Sequence, residues 1–212
     1  MKIKTILIFI AMLFIFTGCA QTKTPDVFDT RDIMNFLLEK NAEYVSSDKN
    51  SADVSKEKRT DTAENGQSPY AVIVTCSDSR VPPEHIFQAG IGELFVVRTA
   101  GNIIGHFELG SIEYGVEHLG ATLIVVLGHT QCGAVEAALS GEAHGHIKAI
   151  VDEIISCLPK NCTKEQAERL NVQNSIDRIR ASEIIKELES LDKVEIKGAI
   201  YNIATGEVEF LD

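Results

Sequence analysis

Apolar residues fall into three kinds of pattern along the chain. Short unbroken runs occupy residues 70–75 (Tyr-Ala-Val-Ile-Val-Thr), 94–97, 123–127 and 199–203. Runs of this length predict strands buried on both faces. Thr205-Gly206 predicts a turn into a hairpin partner at 208–210. Helical spacing lies between the runs. Leu109, Ile112, Val116 and Leu119 form one stripe, and Ile147, Ile150, Val151, Ile154 and Ile155 another. Leu170, Ile176, Ile179, Ile184, Leu188 and Leu191 predict one long helix before the last strands. A further helix is expected over 28–45, from Phe28, Ile33, Phe36, Leu37, Leu38, Tyr44 and Val45. Residues 46–66 hold one large apolar residue, Val54, and read as a solvated loop or a short polar helix. Strands alternating with helices predict an α/β fold with a mainly parallel sheet flanked by helices.

The third pattern is N-terminal. Lys2 and Lys4 precede an apolar run of 11 residues, Ile6 to Phe16, which ends in Thr17-Gly18-Cys19. A membrane-spanning helix needs about 20 apolar residues, so this run is short for one. A basic start, an apolar stretch and small residues before a Cys predict a lipoprotein signal peptide over 1–18, with Cys19 lipidated. Residues 19–27 then form a tether and 28–212 the folded domain. The protein is expected outside the cytoplasmic membrane, lipid-anchored to a bacterial cell surface or periplasmic face, where disulfides persist.

Composition narrows the function classes. At 212 residues, 44% apolar and 24% charged, the chain has globular usage and length for one domain. The net charge of −11 repels phosphate backbones, so no nucleic-acid partner is expected. Five Cys are too few for a disulfide scaffold, so each needs its own reading. Cys157 and Cys162 flank the turn-forming stretch Leu158-Pro159-Lys160-Asn161 and read either as a pair or as free thiols.

Two motifs stand just past predicted strands, where an open parallel sheet places its site. They are Cys76-Ser77-Asp78-Ser79-Arg80 after 70–75 and Gly128-His129-Thr130-Gln131-Cys132-Gly133 after 123–127. Parallel strands end on one edge, so Cys76, His129 and Cys132 can converge. Two thiolates and one imidazole suit Zn²⁺, and three protein ligands leave one position open, as in catalytic sites. A Cys76–Cys132 disulfide is the rival, and it leaves His129, Asp78 and Arg80 unexplained. Asp78 and Arg80 can point to one side of their loop, either as a carboxylate held beside the metal or as a plain loop salt bridge.

With these motifs the chain resembles the β-class carbonic anhydrase family. The similarity extends through Val97-Arg98-Thr99-Ala100-Gly101-Asn102, through 111–120 and through His144-Gly145-His146-Ile147. The resemblance implies an obligate dimer, or a higher even oligomer, with one zinc per chain. It implies reversible hydration of CO₂ to bicarbonate and a proton by a zinc-bound hydroxide. Cys76, His129 and Cys132 match the zinc ligands, and Asp78 and Arg80 the family's dyad. Gln67 matches a residue that reaches across the dimer to the bound anion, and Gly133 one whose backbone N–H faces substrate. Phe95 and Tyr114 match pocket residues and His118 a proton-transfer residue. Ile73 stands where the bicarbonate-regulated branch carries Trp, which points to the plant-like, open-site branch, while Ala100 replaces a larger aliphatic residue of that branch. Hydrolysis of carbonyl sulfide or carbon disulfide, and a non-catalytic zinc-binding surface lipoprotein, stand as alternatives.

Overall fold

The computed structural model describes residues 30–211. The predicted signal peptide, the tether with Cys19, and Phe28 lie outside the described residues. Strands β1 (Ala71–Thr75), β2 (Leu94–Arg98), β3 (Leu123–His129), β4 (Glu195–Tyr201) and β5 (Val208–Phe210) form one sheet in the order β2-β1-β3-β4-β5. The first four in that order are parallel, and β5 closes antiparallel on β4. β1 and β3 are central and buried at every residue, which is why their sequences are apolar without alternation.

Successive strand residues feed opposite layers. Val72, Val74, Ile124 and Val126 pack against α4 (His106–Glu117), α7 (Lys164–Arg180) and α8 (Glu183–Ser190). Ala71, Ile73, Leu123, Val125 and Leu127 pack against α1 (Thr30–Ser46) and α3 (Pro83–Ile86). A third apolar cluster gathers Cys76, Cys132, Val135, Val151, Ile154 and Ala167. It joins α5 (Gly133–Ser140), α6 (Ile147–Ile155) and α7 at the carboxyl edge of the sheet.

Four expectations are refined. The single long helix is two, α7 and α8, broken at Ser182. Its extended backbone (φ −65°, ψ 134°) caps α8, its Oγ accepting from the Ile185 N–H at 3.3 Å and donating to Glu113 at 2.6 Å. Leu170 and Leu191, which the single-helix pattern enlisted, are exposed. The stretch 46–66 carries a short polar helix, α2 (Lys56–Asn65), capped by Ser55 and without a buried residue. β4 begins at Glu195, earlier than the apolar run at 199, because its first turn of sheet alternates half-exposed Glu195 and Lys197 with buried Ile196 and Gly198. Cys157 and Cys162 are free thiols.

Candidate metal centre

The site is built by strand register. Thr75 stands opposite Leu127, so Cys76 and His129 leave the same edge of adjacent strands. The Thr75 Oγ1 donates to the Leu127 carbonyl at 2.7 Å and ties the two ends together. Past His129 the chain stays anchored to β4, through Thr130 N–H to the Tyr201 carbonyl (3.0 Å) and Ile203 N–H to Thr130 Oγ1 (3.1 Å). Gln131 adopts φ +59°, a left-handed turn uncommon outside glycine, which brings Cys132 round to head α5. Arg98, at the end of β2, clamps the other loop: Nε donates to the Cys76 carbonyl (3.1 Å) and Nη2 to the Asp78 carbonyl (2.7 Å).

Cys76, His129 and Cys132 are buried, and their donor atoms lie within 4.8 Å of one another. The His129 Nδ1 lies 2.9 Å from the Thr130 carbonyl, which places the ring proton on Nδ1. That leaves Nε2 as a lone pair, and Nε2 is buried without a hydrogen-bond partner. A buried polar atom facing two sulfurs with nothing to satisfy it is what a ligand-metal bond would complete. The set of two sulfurs and one imidazole nitrogen fits zinc. Cys76 Sγ receives the Gly101 N–H (3.2 Å) and the Asp78 N–H (3.4 Å). The hydrogen bond from Cys132 is the first cause that holds the Cys76 thiol well below the ordinary range against burial, with the nearby His129 side chain and then these N–H groups helping. Cys132 is pushed up by its bond to Cys76 and by burial, against the N–H groups of Val135 and Ala134 at the start of α5. Both thiols are free, so the disulfide alternative is not realised.

Asp78 and Arg80 form a two-pronged pair beside this cluster. Arg80 Nε donates to Oδ1 (3.0 Å), Nη2 to Oδ2 (2.7 Å), and its backbone N–H also reaches Oδ1 (2.9 Å). Arg80 Nη2 further meets the Gln131 carbonyl at 3.3 Å, linking the two site loops. The Arg80 side chain, and then its backbone N–H, hold the Asp78 carboxyl at about 2, against the opposing effect of burial. Gly133 opens α5, and a Cβ built on it would meet nothing within 4 Å, so space lies beside its backbone.

The remaining predicted residues lie elsewhere within the single chain. Phe95 pairs with Val72, four residues before Cys76 and so about 13 Å along the strand. Its ring contacts Tyr114 (6.0 Å between centroids), and Tyr114 contacts His118 (5.3 Å). Gln67 is exposed in the segment entering β1. These four share the amino end of the strands, opposite the cluster. His144 and His146 are exposed before α6.

Sequence reasoning gave no role to Arg98, Gly101, Glu168, Asn171 or Ser175. For the last three the available signal was polar residues at three- and four-residue spacing beside the apolar stripe Ala167, Val172, Ile176 and Ile179.

The family described as carbonic anhydrase matches residues 71–208. Carbonic anhydrase 2 of Mycobacterium tuberculosis is 51% identical over 94 residues, 42% of this chain and 45% of that protein. A carbonic anhydrase of Mycolicibacterium smegmatis is 39% identical over 155 residues, 68% of this chain and 75% of that protein. The chain thus spans less than half the length of the first relative and three quarters of the second. A solved tetrameric β-carbonic anhydrase from Sordaria macrospora superposes with a TM-score of 0.62 at 26% identity, covering 73% of this chain and 91% of that one. Family match, relatives and superposition agree, and the chain belongs to the β-carbonic anhydrase family.

Proposed function

We propose that this protein catalyses the reversible hydration of CO₂ to bicarbonate and a proton, with one zinc ion held by Cys76, His129 and Cys132. The observation that carries this reading is the partnerless, buried His129 Nε2 facing two cysteine sulfurs, with the Asp78–Arg80 pair alongside. Zinc held there would supply Lewis acidity, the chemistry that favours loss of a proton from water near neutral pH. Asp78, beside the donor cluster, would accept a hydrogen bond from a water held there and orient it. Arg80 holds the carboxylate ionised and aimed. The open backbone at Gly133 leaves room for a small substrate, with the α5 N-terminus favouring the negative charge of bicarbonate.

The open-site, plant-like branch is the form we favour. What supports it is that Asp78 is engaged by Arg80, while the donor cluster consists of the other three residues. In this reading the functional unit is a homodimer or a higher even oligomer, and a second copy brings Gln67, Phe95 and Tyr114 to the site. Their distance from their own cluster supports this, as does the exposed aromatic face of α4, where Phe107 is 89% and Tyr114 48% exposed. Cys19 lipidation and a position outside the cytoplasmic membrane complete the proposal and rest on the N-terminal sequence pattern.

Stopped-flow CO₂ hydration by the zinc-loaded chain, run beside assays with carbonyl sulfide and carbon disulfide, tests the reaction. Hydration should dominate, and Cys76→Ser should lose both metal and activity. Full zinc content in Cys76→Ser would remove that ligand, and turnover of only the sulfur compounds would replace the reaction.

A further inference from the structure

We propose that α7 is a positioning element for both sulfur donors, acting through a row of three buried side chains, Glu168, Asn171 and Ser175. The proposal rests on the reading of Cys76 and Cys132 as metal donors. The three residues fall at three- and four-residue spacing and so share one face of the helix. They are 6%, 1% and 1% exposed. Buried polar groups are costly unless bonded, and the neighbouring helix positions Val172, Ile176 and Ile179 are apolar, so the polar row needs a reason.

The reason lies in what the row holds. Glu168 Oε1 accepts the Cys132 N–H at 3.2 Å. Asn171 Nδ2 donates to the Gly101 carbonyl at 2.7 Å. Ser175 Oγ lies 2.8 Å from the Asn102 carbonyl and 3.1 Å from that of Asn171. Gly101 in turn donates its N–H to Cys76 Sγ at 3.2 Å. Gly101 and Asn102 sit at φ +70° and +47°, a left-handed pair that must be held in place. A Cβ on Gly101 would come within 2.9 Å of Ile154 Cδ1 and 3.0 Å of Ala134 Cβ, so the loop is also wedged between α5 and α6. One helix therefore grips the backbone of Cys132 directly and Cys76 Sγ through one intervening residue, Gly101. These hydrogen bonds run from the three side chains to backbone groups and not to the donor atoms. Each acts through a backbone group, and the Gly101–Asn102 loop and the Cys132 turn share one reference frame.

Zinc release to a chelator and the thiolate-to-metal absorption of the cobalt-substituted chain test this, with folding checked by circular dichroism. Asn171→Leu keeps the branched heavy-atom shape, removes the donor and suits a buried site. It should release zinc roughly 10–100-fold faster and shift the cobalt band, the usual scale for loss of an outer ligand-supporting bond. Glu168→Ala should do the same, while Glu168→Gln, which keeps an acceptor for the Cys132 N–H, should restore near-normal release. Should Asn171→Leu not fold, Ser175→Ala, a smaller change, should show faster release. Folded Asn171→Leu or Ser175→Ala chains with unaltered release and spectrum would overturn the proposal, as would Glu168→Gln behaving like Glu168→Ala. A parent chain that binds neither zinc nor cobalt would overturn the metal reading itself and the proposal with it.

Discussion

At Asp78, one guanidinium decides what a carboxylate can do. Two side-chain bonds and one backbone bond from Arg80 leave it ionised, with its carboxyl held at about 2. A carboxyl depressed this way contributes stability above its unfolded value near 3.9, and that contribution is lost as pH falls through about 2. Across about pH 5–9 Asp78 is therefore always charged, and any inflection in rate there belongs to another group. Carboxyl-carbon NMR checks this, and titration of Asp78 inside that window would contradict it. Asp78→Asn should keep one zinc per chain, because the three donors remain, yet lose roughly 100-fold or more in turnover, the usual scale for a positioned proton acceptor. Metal analysis beside stopped-flow rates separates the two effects, and undiminished turnover would take Asp78 out of the mechanism.

Among the elements, β3 carries the tightest constraint. Gly128 precedes His129, and a Cβ there would stand 2.5 Å from Val172 Cγ2 and 3.0 Å from Ile200 Cδ1. Gly128→Ala should therefore cost about 1–3 kcal/mol by overpacking β3 against α7. Urea unfolding measures it, and a chain as stable as the parent would mean that α7 gives way freely. The strands themselves were legible in the sequence, because β1 and β3 are buried on both faces and so read as unbroken apolar runs. The metal donors were legible for a related reason, since chemistry at the end of such a run falls on the sheet's carboxyl edge. The α7–α8 break was not, because the apolar residues on either side keep helical spacing and only Ser182 interrupts them. The polar row on α7 was equally silent: its partners are backbone groups 36 to 73 residues away, and no local pattern encodes them.

For the molecule as a whole, the distance between Phe95 and its own cluster is what the proposed dimer would bridge. The proposed pocket residues and the metal donors lie toward opposite ends of the strands, so in that reading a lone chain holds two separate half-sites. Dilution until the oligomer separates should abolish activity while leaving the secondary structure intact. Sedimentation of an active monomer would contradict this. The N-terminal pattern makes a separate statement about the whole molecule. Cys19→Ser should move the protein from the membrane fraction to the soluble one or leave it unprocessed, and a processed variant still in the membrane fraction would require another anchor.

The pairing of Thr75 with Leu127 has a consequence for the order in which the protein comes together. The two residues lie 52 positions apart, so one sulfur and the sulfur–imidazole half meet only when β1 and β3 dock. Neither half offers enough donors to keep zinc alone. The metal thus distinguishes chains whose central strands have paired from chains whose strands have not, and it adds stability only to the former, by about 2.7 kcal/mol when free zinc is a hundred times its dissociation constant. Stripping the metal removes a clasp from a strand pairing that spans 52 positions of the chain. The age of a zinc-free chain is then counted from the moment its middle strands first part.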